Sequence, residues 1–176
     1  MSNSKARLLK ESLMKFYTKK NNLDKVANVI NKKTDYSLRV IEWFCGNYAK
    51  KNNIVYKIKS DTDFNVYLSY KAQLNSYQKK QFDPFNRTYP GFESFYVTRT
   101  NGEPLLTTVG QLNFFKWCIT NGILDYIQKH LTSIKEDMND TIKYPLVNPK
   151  NPRKPLSIPA IRTCIKRYSK VILEFD

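Results

Sequence analysis

The sequence predicts an α+β fold, with helices at the N-terminus, a small antiparallel sheet with two hairpins, and a central-to-C-terminal helical pair packed on it. Apolar residues recur at helical spacing from residue 4 to residue 50. The pattern changes at Ile54-Val55-Tyr56-Lys57-Ile58, where β-branched and aromatic residues crowd together. Further on, Asn101-Gly102 separates two strand-like runs, the strongest short hairpin signal in the chain. With 176 residues, 41% of them hydrophobic and 14% aromatic, the chain can bury a real core.

Taken in order, Leu9, Leu13, Phe16 and Tyr17 define a helix over residues 4 to 19, ringed by Lys5, Arg7, Lys10, Lys15, Lys19 and Lys20. Asn21-Asn22 stops it, and Asn22 is placed to cap a second helix carrying Leu23, Val26, Ala27 and Ile30. A third follows Thr34 to Ser37, with Leu38, Ile41, Cys45 and Tyr48 on one face, and ends at Lys50-Lys51-Asn52-Asn53. After the 54 to 59 strand, Val66, Tyr67, Tyr70, Leu74 and Tyr77 favour a helix. Phe82-Asp83-Pro84-Phe85 is extended around its proline and suits two phenylalanines plugged into the chain's own core.

Residues 92 to 107 form the first expected hairpin, with both turn residues at positive φ. Thr108-Val109-Gly110-Gln111 then has the form of a capping box, the threonine hydroxyl accepting the Gln111 amide and the glutamine reaching back. Its helix runs to Asn121-Gly122, and Ile123, Leu124, Ile127, Leu131, Ile134 and Met138 continue the stripe. Five prolines between residues 143 and 159 exclude regular helix and predict an extended basic loop, and residues 158 to 175 predict a second, closing hairpin. The organisation expected is a basic helical region over 1–33 and a single α+β domain over 34–176.

The charge is uneven. Residues 1–60 hold fourteen Lys or Arg against four acids, residues 61–120 six against five, and residues 121–176 ten against six. Two basic ends around a near-neutral middle point to a polyanion, and nucleic acid is the commonest one. With 23 lysines, 7 arginines and 17 asparagines, part of the surplus reflects the codon bias of an AT-rich genome. The C-terminal surface is the sharper signal: from Thr141 to Leu173 there is no acid, yet Lys143, Lys150, Arg153, Lys154, Arg162, Lys166, Arg167 and Lys170 all fall there. Such a loop and hairpin suit phosphate contact, while the plainer alternative is a strand edge protected by lysine. The basic N-terminal helix has its own alternatives, an acidic membrane surface, a partner, or simple packing on its own domain.

Three segments resemble a family of small, basic, functionally uncharacterised proteins of giant nucleocytoplasmic DNA viruses of the mimivirus and phycodnavirus kind. They are Arg39-Val40-Ile41-Glu42-Trp43-Phe44 with Lys50-Lys51-Asn52-Asn53-Ile54, Ser69-Tyr70-Lys71 with Lys79-Lys80-Gln81-Phe82-Asp83-Pro84-Phe85, and Thr107 through Trp117. The likeness covers roughly residues 35 to 176. It implies a viral factory in the host cytoplasm or a virion, with the nucleus as the alternative, and it carries no site residue over.

Catalytic chemistry finds little footing. His130 is the sole histidine, the five glycines are isolated, and Cys45, Cys118 and Cys164 read as reduced core thiols. Asp61 and Asp63, completed by Asp83, Glu93 and Lys71, are the acids a metal-dependent nuclease would use, but their spacing matches no metal template. No apolar run approaches the roughly 18 to 20 residues of a membrane span. The expectation is therefore non-catalytic binding of nucleic acid, DNA rather than RNA, through backbone phosphates, without cofactor, metal or membrane. The alternative is a virion component or host-factor adaptor that meets an acidic protein.

Overall fold

The computed structural model describes residues 2–19, 21–58 and 61–143, with side chains from residue 6 to residue 141. The chain divides into two units, Met1–Lys143 and Tyr144–Asp176, and the second lies outside the described residues. So do the expected closing hairpin and all but the first residue of the expected proline-rich loop.

The fold is α+β. Its helices are α1 (Ser2–Tyr17), α2 (Asn22–Ile30), α3 (Leu38–Trp43), α4 (Ala49–Lys51), α5 (Val66–Gln81), α6 (Val109–Thr120), α7 (Ile123–Lys129) and α8 (Leu131–Lys143). Two antiparallel hairpins accompany them, β1 (Val55–Lys57) with β2 (Asp63–Asn65), and β3 (Phe95–Thr98) with β4 (Pro104–Thr107). Among the described residues each hairpin is a sheet of its own, so the 54 to 59 strand pairs locally instead of joining the 92 to 107 hairpin.

The element most others share is α6. Every residue from Val109 to Phe115 is buried, and α1, α2, α5 and α7 all pack against this helix. A helix apolar on all sides must be enclosed on all sides, and two-stranded hairpins are too narrow to cover it alone. On α1, Leu13 and Tyr17 face α6, and the Tyr17 hydroxyl donates to the Leu112 carbonyl at 2.6 Å, so its burial leaves no polar group unpaired.

Between α3 and α4 the helix widens into a π-helical turn, Phe44–Tyr48. The buried set Ile41, Cys45 and Ala49 repeats every fourth residue, slower than the 3.6-residue α period. One widened turn absorbs the drift and keeps all three on the core face.

Several boundaries differ from expectation for local reasons. Asn22 opens α2 rather than capping it, and its Nδ2 donates to the Phe16 carbonyl at 3.2 Å, closing α1 instead. β2 is a three-residue strand, Asp-Phe-Asn, whose composition disfavours strand and which the Phe64 ring secures against Tyr56 opposite, 5.5 Å away. In the β3–β4 hairpin only Gly102 has positive φ, at +82°. The Gly102 amide donates to the Arg99 carbonyl at 3.0 Å and the Arg99 amide to the Glu103 carbonyl at 2.9 Å. That pattern is a three-residue loop with a glycine bulge, not a two-residue turn. The stripe from Ile123 to Met138 is cut at His130, whose non-helical φ separates α7 from α8. Lys143 ends α8 and is helical, not the first residue of a loop.

Candidate nucleic-acid interface

On α1 the apolar face is spent on α6, which turns the bases outward. Lys10, Lys15 and Lys19 are exposed, and Arg7 is exposed with an i,i+4 pair to Glu11 at 3.4 Å. The Lys10 ammonium lies 4.0 Å from the centre of the Phe95 ring, a cation–π contact that ties α1 to β3. This helix therefore packs on its own domain, with Lys10 and Lys15 facing solvent. The side chains of Lys5, Lys20 and Lys143, and all of Lys150, Arg153, Lys154, Arg162, Lys166, Arg167 and Lys170, lie outside the described residues.

Other exposed lysines, absent from the sequence-based set, come from elements further along: Lys25 and Lys32 on or after α2, Lys71, Lys79 and Lys80 on α5, and Lys129 at the end of α7. None of these pairs with a carboxylate among the described residues. Lys57 on β1 pairs with Asp61 at 2.9 Å, and both side chains are mostly in water. Lys25, Lys57 and Lys129 meet around a groove of about 450 Å³ between α2, β1 and the α6–α7 turn, with Tyr56 and Tyr126 in its wall and Asp125 as the acid lining it. Burial pushes the phenol of Tyr56 well above its usual range, so it stays a neutral donor, and it donates to the Asn121 carbonyl at 2.8 Å. No sequence pattern links three lysines that lie on three different elements, so this site was invisible to spacing arguments.

The phenylalanines of the Phe82–Phe85 segment and Tyr70 and Tyr77 of α5 serve packing. Phe82 is fully buried, while Phe85 is only half covered and carries the Arg87 guanidinium 4.8 Å above its ring. Tyr70 is buried against Phe82, Phe114 and Trp117, and Tyr77 stacks on Phe82 at 6.4 Å. The buried rings of Tyr70 and Phe82 have no free face to offer a base.

The acids considered for a metal occupy separate roles. Asp61 is held by Lys57, and Asp63 is exposed. Asp83 is buried, accepting from the Phe85 amide at 3.0 Å and lying 3.6 Å from Arg87, which makes it the anchor of a tight Asp-Pro turn. Glu93 accepts from the Gly91 amide at 3.3 Å. Among the described residues no three His, Cys, Asp or Glu side chains gather as metal ligands. His130 is exposed with its ring 4.3 Å from Tyr126. Cys45 and Cys118 are free and buried; burial pushes the Cys118 thiol well up, and the neighbouring Cys45 thiol adds to the effect. No described helix is long and apolar enough to cross a membrane.

No solved structure matches the chain. Among curated proteins it is similar to uncharacterized protein L507 of Acanthamoeba polyphaga mimivirus, 42% identical over 122 residues, which is 67% of this chain and 47% of the relative. The chain thus spans about half the length of the relative it matches. The likeness to giant-virus proteins read from residues 39 to 117 is borne out by this match. A family model, described as a family of unknown function (DUF7197), matches residues 1–170, and the chain belongs to that family.

Proposed function

We propose that the protein binds nucleic acid, DNA in the first place, through backbone phosphates and without catalysis, serving genome packaging, chromatin-like organisation or transcription in a giant-virus infection. The observation that carries this reading is where the positive charge sits. The net charge is +15, and on α1, α2 and α7 lysines stand in water without a carboxylate partner among the described residues. A folded chain keeps a self-repelling field of this size at a cost in stability, which a polyanion offsets by neutralising it. The acid-free stretch from Thr141 to Leu173 supports the same reading from sequence.

Lysine's compact ammonium suits phosphate, whereas base reading calls for bidentate Arg, Asn or Gln on one recognition element. The binding proposed is therefore largely independent of sequence. Its setting would be the viral factory in the host cytoplasm, or the virion. The test is a titration of random-sequence duplex with the full chain, repeated after Lys150, Arg153, Lys154, Arg162, Lys166 and Arg167 are all changed to Gln. Binding should weaken strongly, with the salt slope shallower by about 0.9 for each phosphate no longer neutralised. Unchanged binding in a folded variant removes the C-terminal surface from the reading. Incubation of the wild type with plasmid and Mg²⁺ or Mn²⁺ should leave the plasmid intact, and cleavage that Asp83→Asn abolishes while leaving binding intact would replace this reading with a nuclease.

A further inference from the structure

We infer that the groove between α2, β1 and the α6–α7 turn is where a nucleic-acid backbone lies, held by Lys25, Lys57 and Lys129 with no contact to a base; the inference rests on the nucleic-acid reading above. Three lysines from three elements line one groove of about 450 Å³, and Asp125 is the acid that lines it. The Lys57–Asp61 pair at 2.9 Å does not close the site, since both side chains are mostly exposed and such a pair is worth little against a phosphate.

The tyrosines in the wall decide against base reading. Tyr56 and Tyr126 stack on each other with ring centres 5.1 Å apart and planes 15° from parallel. Tyr126 is also packed by His130 at 4.3 Å and Phe44 at 5.3 Å, and Tyr56 by Phe64 at 5.5 Å. Single-strand binders stack bases on open ring faces, and these faces are engaged by protein rings. The Tyr56 hydroxyl is committed to the Asn121 carbonyl. What the groove presents is three exposed lysines beside an aromatic wall, which fits regularly spaced phosphates of any sequence.

The experiment compares two variants of the full chain that lose the same formal charge. In one, Lys25, Lys57 and Lys129 become Gln; in the other, the exposed α5 lysines Lys71, Lys79 and Lys80 do. Fluorescence anisotropy with two duplexes of unrelated sequence gives the affinity of each from low to physiological salt, and melting curves confirm that both variants fold. The groove variant should lower the salt slope by about 2.7, that is 0.9 for each of three phosphates, equally for both duplexes, while the α5 variant keeps most of the wild-type slope. A groove variant with the wild-type slope overturns the placement while leaving nucleic-acid binding standing. Equal losses in both variants overturn it too, in favour of diffuse attraction. A loss confined to one duplex overturns the exclusion of base contact. A wild type that binds neither duplex at low salt overturns the functional reading itself.

Discussion

Thr108 closes the first turn of α6 by accepting from the Gln111 amide at 3.2 Å. Changing it to Ala should cost about 1 kcal/mol, read as a lower midpoint in denaturant at unchanged slope. The Gln111 half of the capping box does not form. Its Oε1 accepts from the Thr107 hydroxyl at 2.9 Å and its Nε2 donates to the Pro84 carbonyl at 2.8 Å, so a residue read as a local cap is a buried strut to a distant loop. Spacing reveals the first role and cannot reveal the second, which depends on a partner 27 residues away. Nothing in the local sequence singles out Asp24. The Thr100 hydroxyl donates to it at 2.7 Å and Arg99 at 3.1 Å, and these bonds, Thr100 foremost, hold its carboxyl below the usual range. A depressed folded-state pKa contributes stability above the unfolded value, and that stability is lost as pH falls through the folded one. Asp24→Asn should therefore lower the melting temperature at neutral pH, and the gap to wild type should close in acid, as pH falls below the ordinary aspartate range. A gap that persists in acid would assign the loss to packing instead.

At the scale of elements, α1 was legible because it shows one continuous apolar face, carried by Leu9, Leu13 and Tyr17, and α6 because it is apolar nearly all round. What was not legible arose where tertiary contacts override a local period, as in the π-helical turn and the cut at His130. The end of α5 is the clearest case. Gln78 has φ +58° and ψ 169°, a region that favours glycine, and it joins the helix to a segment strapped onto α6. There Asn113 donates to the Gln81 carbonyl at 2.8 Å, and the Asp83 amide donates to the Gly110 carbonyl at 3.2 Å. A Cβ on Gly110 would meet the Lys80 carbonyl oxygen at 3.2 Å, which is why the helix can approach this closely only with glycine there. The strap and the buried Phe82 hold Gln78 in its strained conformation. Gln78→Gly should accordingly stabilise the protein by about 1 kcal/mol, since relief of strain of order 1–3 kcal/mol outweighs the added freedom of the unfolded chain. A lower melting temperature in this variant would mean that Gln78 is not strained.

For the molecule as a whole, charge asymmetry was legible from residue counts, but which lysines share a surface was not. Of the N-terminal set named from sequence, Arg7, Lys10, Lys15 and Lys19 are exposed as α1 packs on α6, and the three lysines that border one groove lie on elements that only the tertiary fold brings together. The family match places the chain among giant-virus proteins, while the phosphate-binding role rests on charge, exposure and the choice of lysine over arginine. These make one prediction that an adaptor for a single acidic protein does not share. The measurement is the affinity of the wild-type chain for random-sequence duplex DNA between about 50 and 200 mM salt, the range over which counterion release is read. Log affinity should fall linearly with log salt, steeply enough to count several phosphates and by the same slope for duplexes of different sequence. A flat dependence, or no binding at the low-salt end, would contradict phosphate binding.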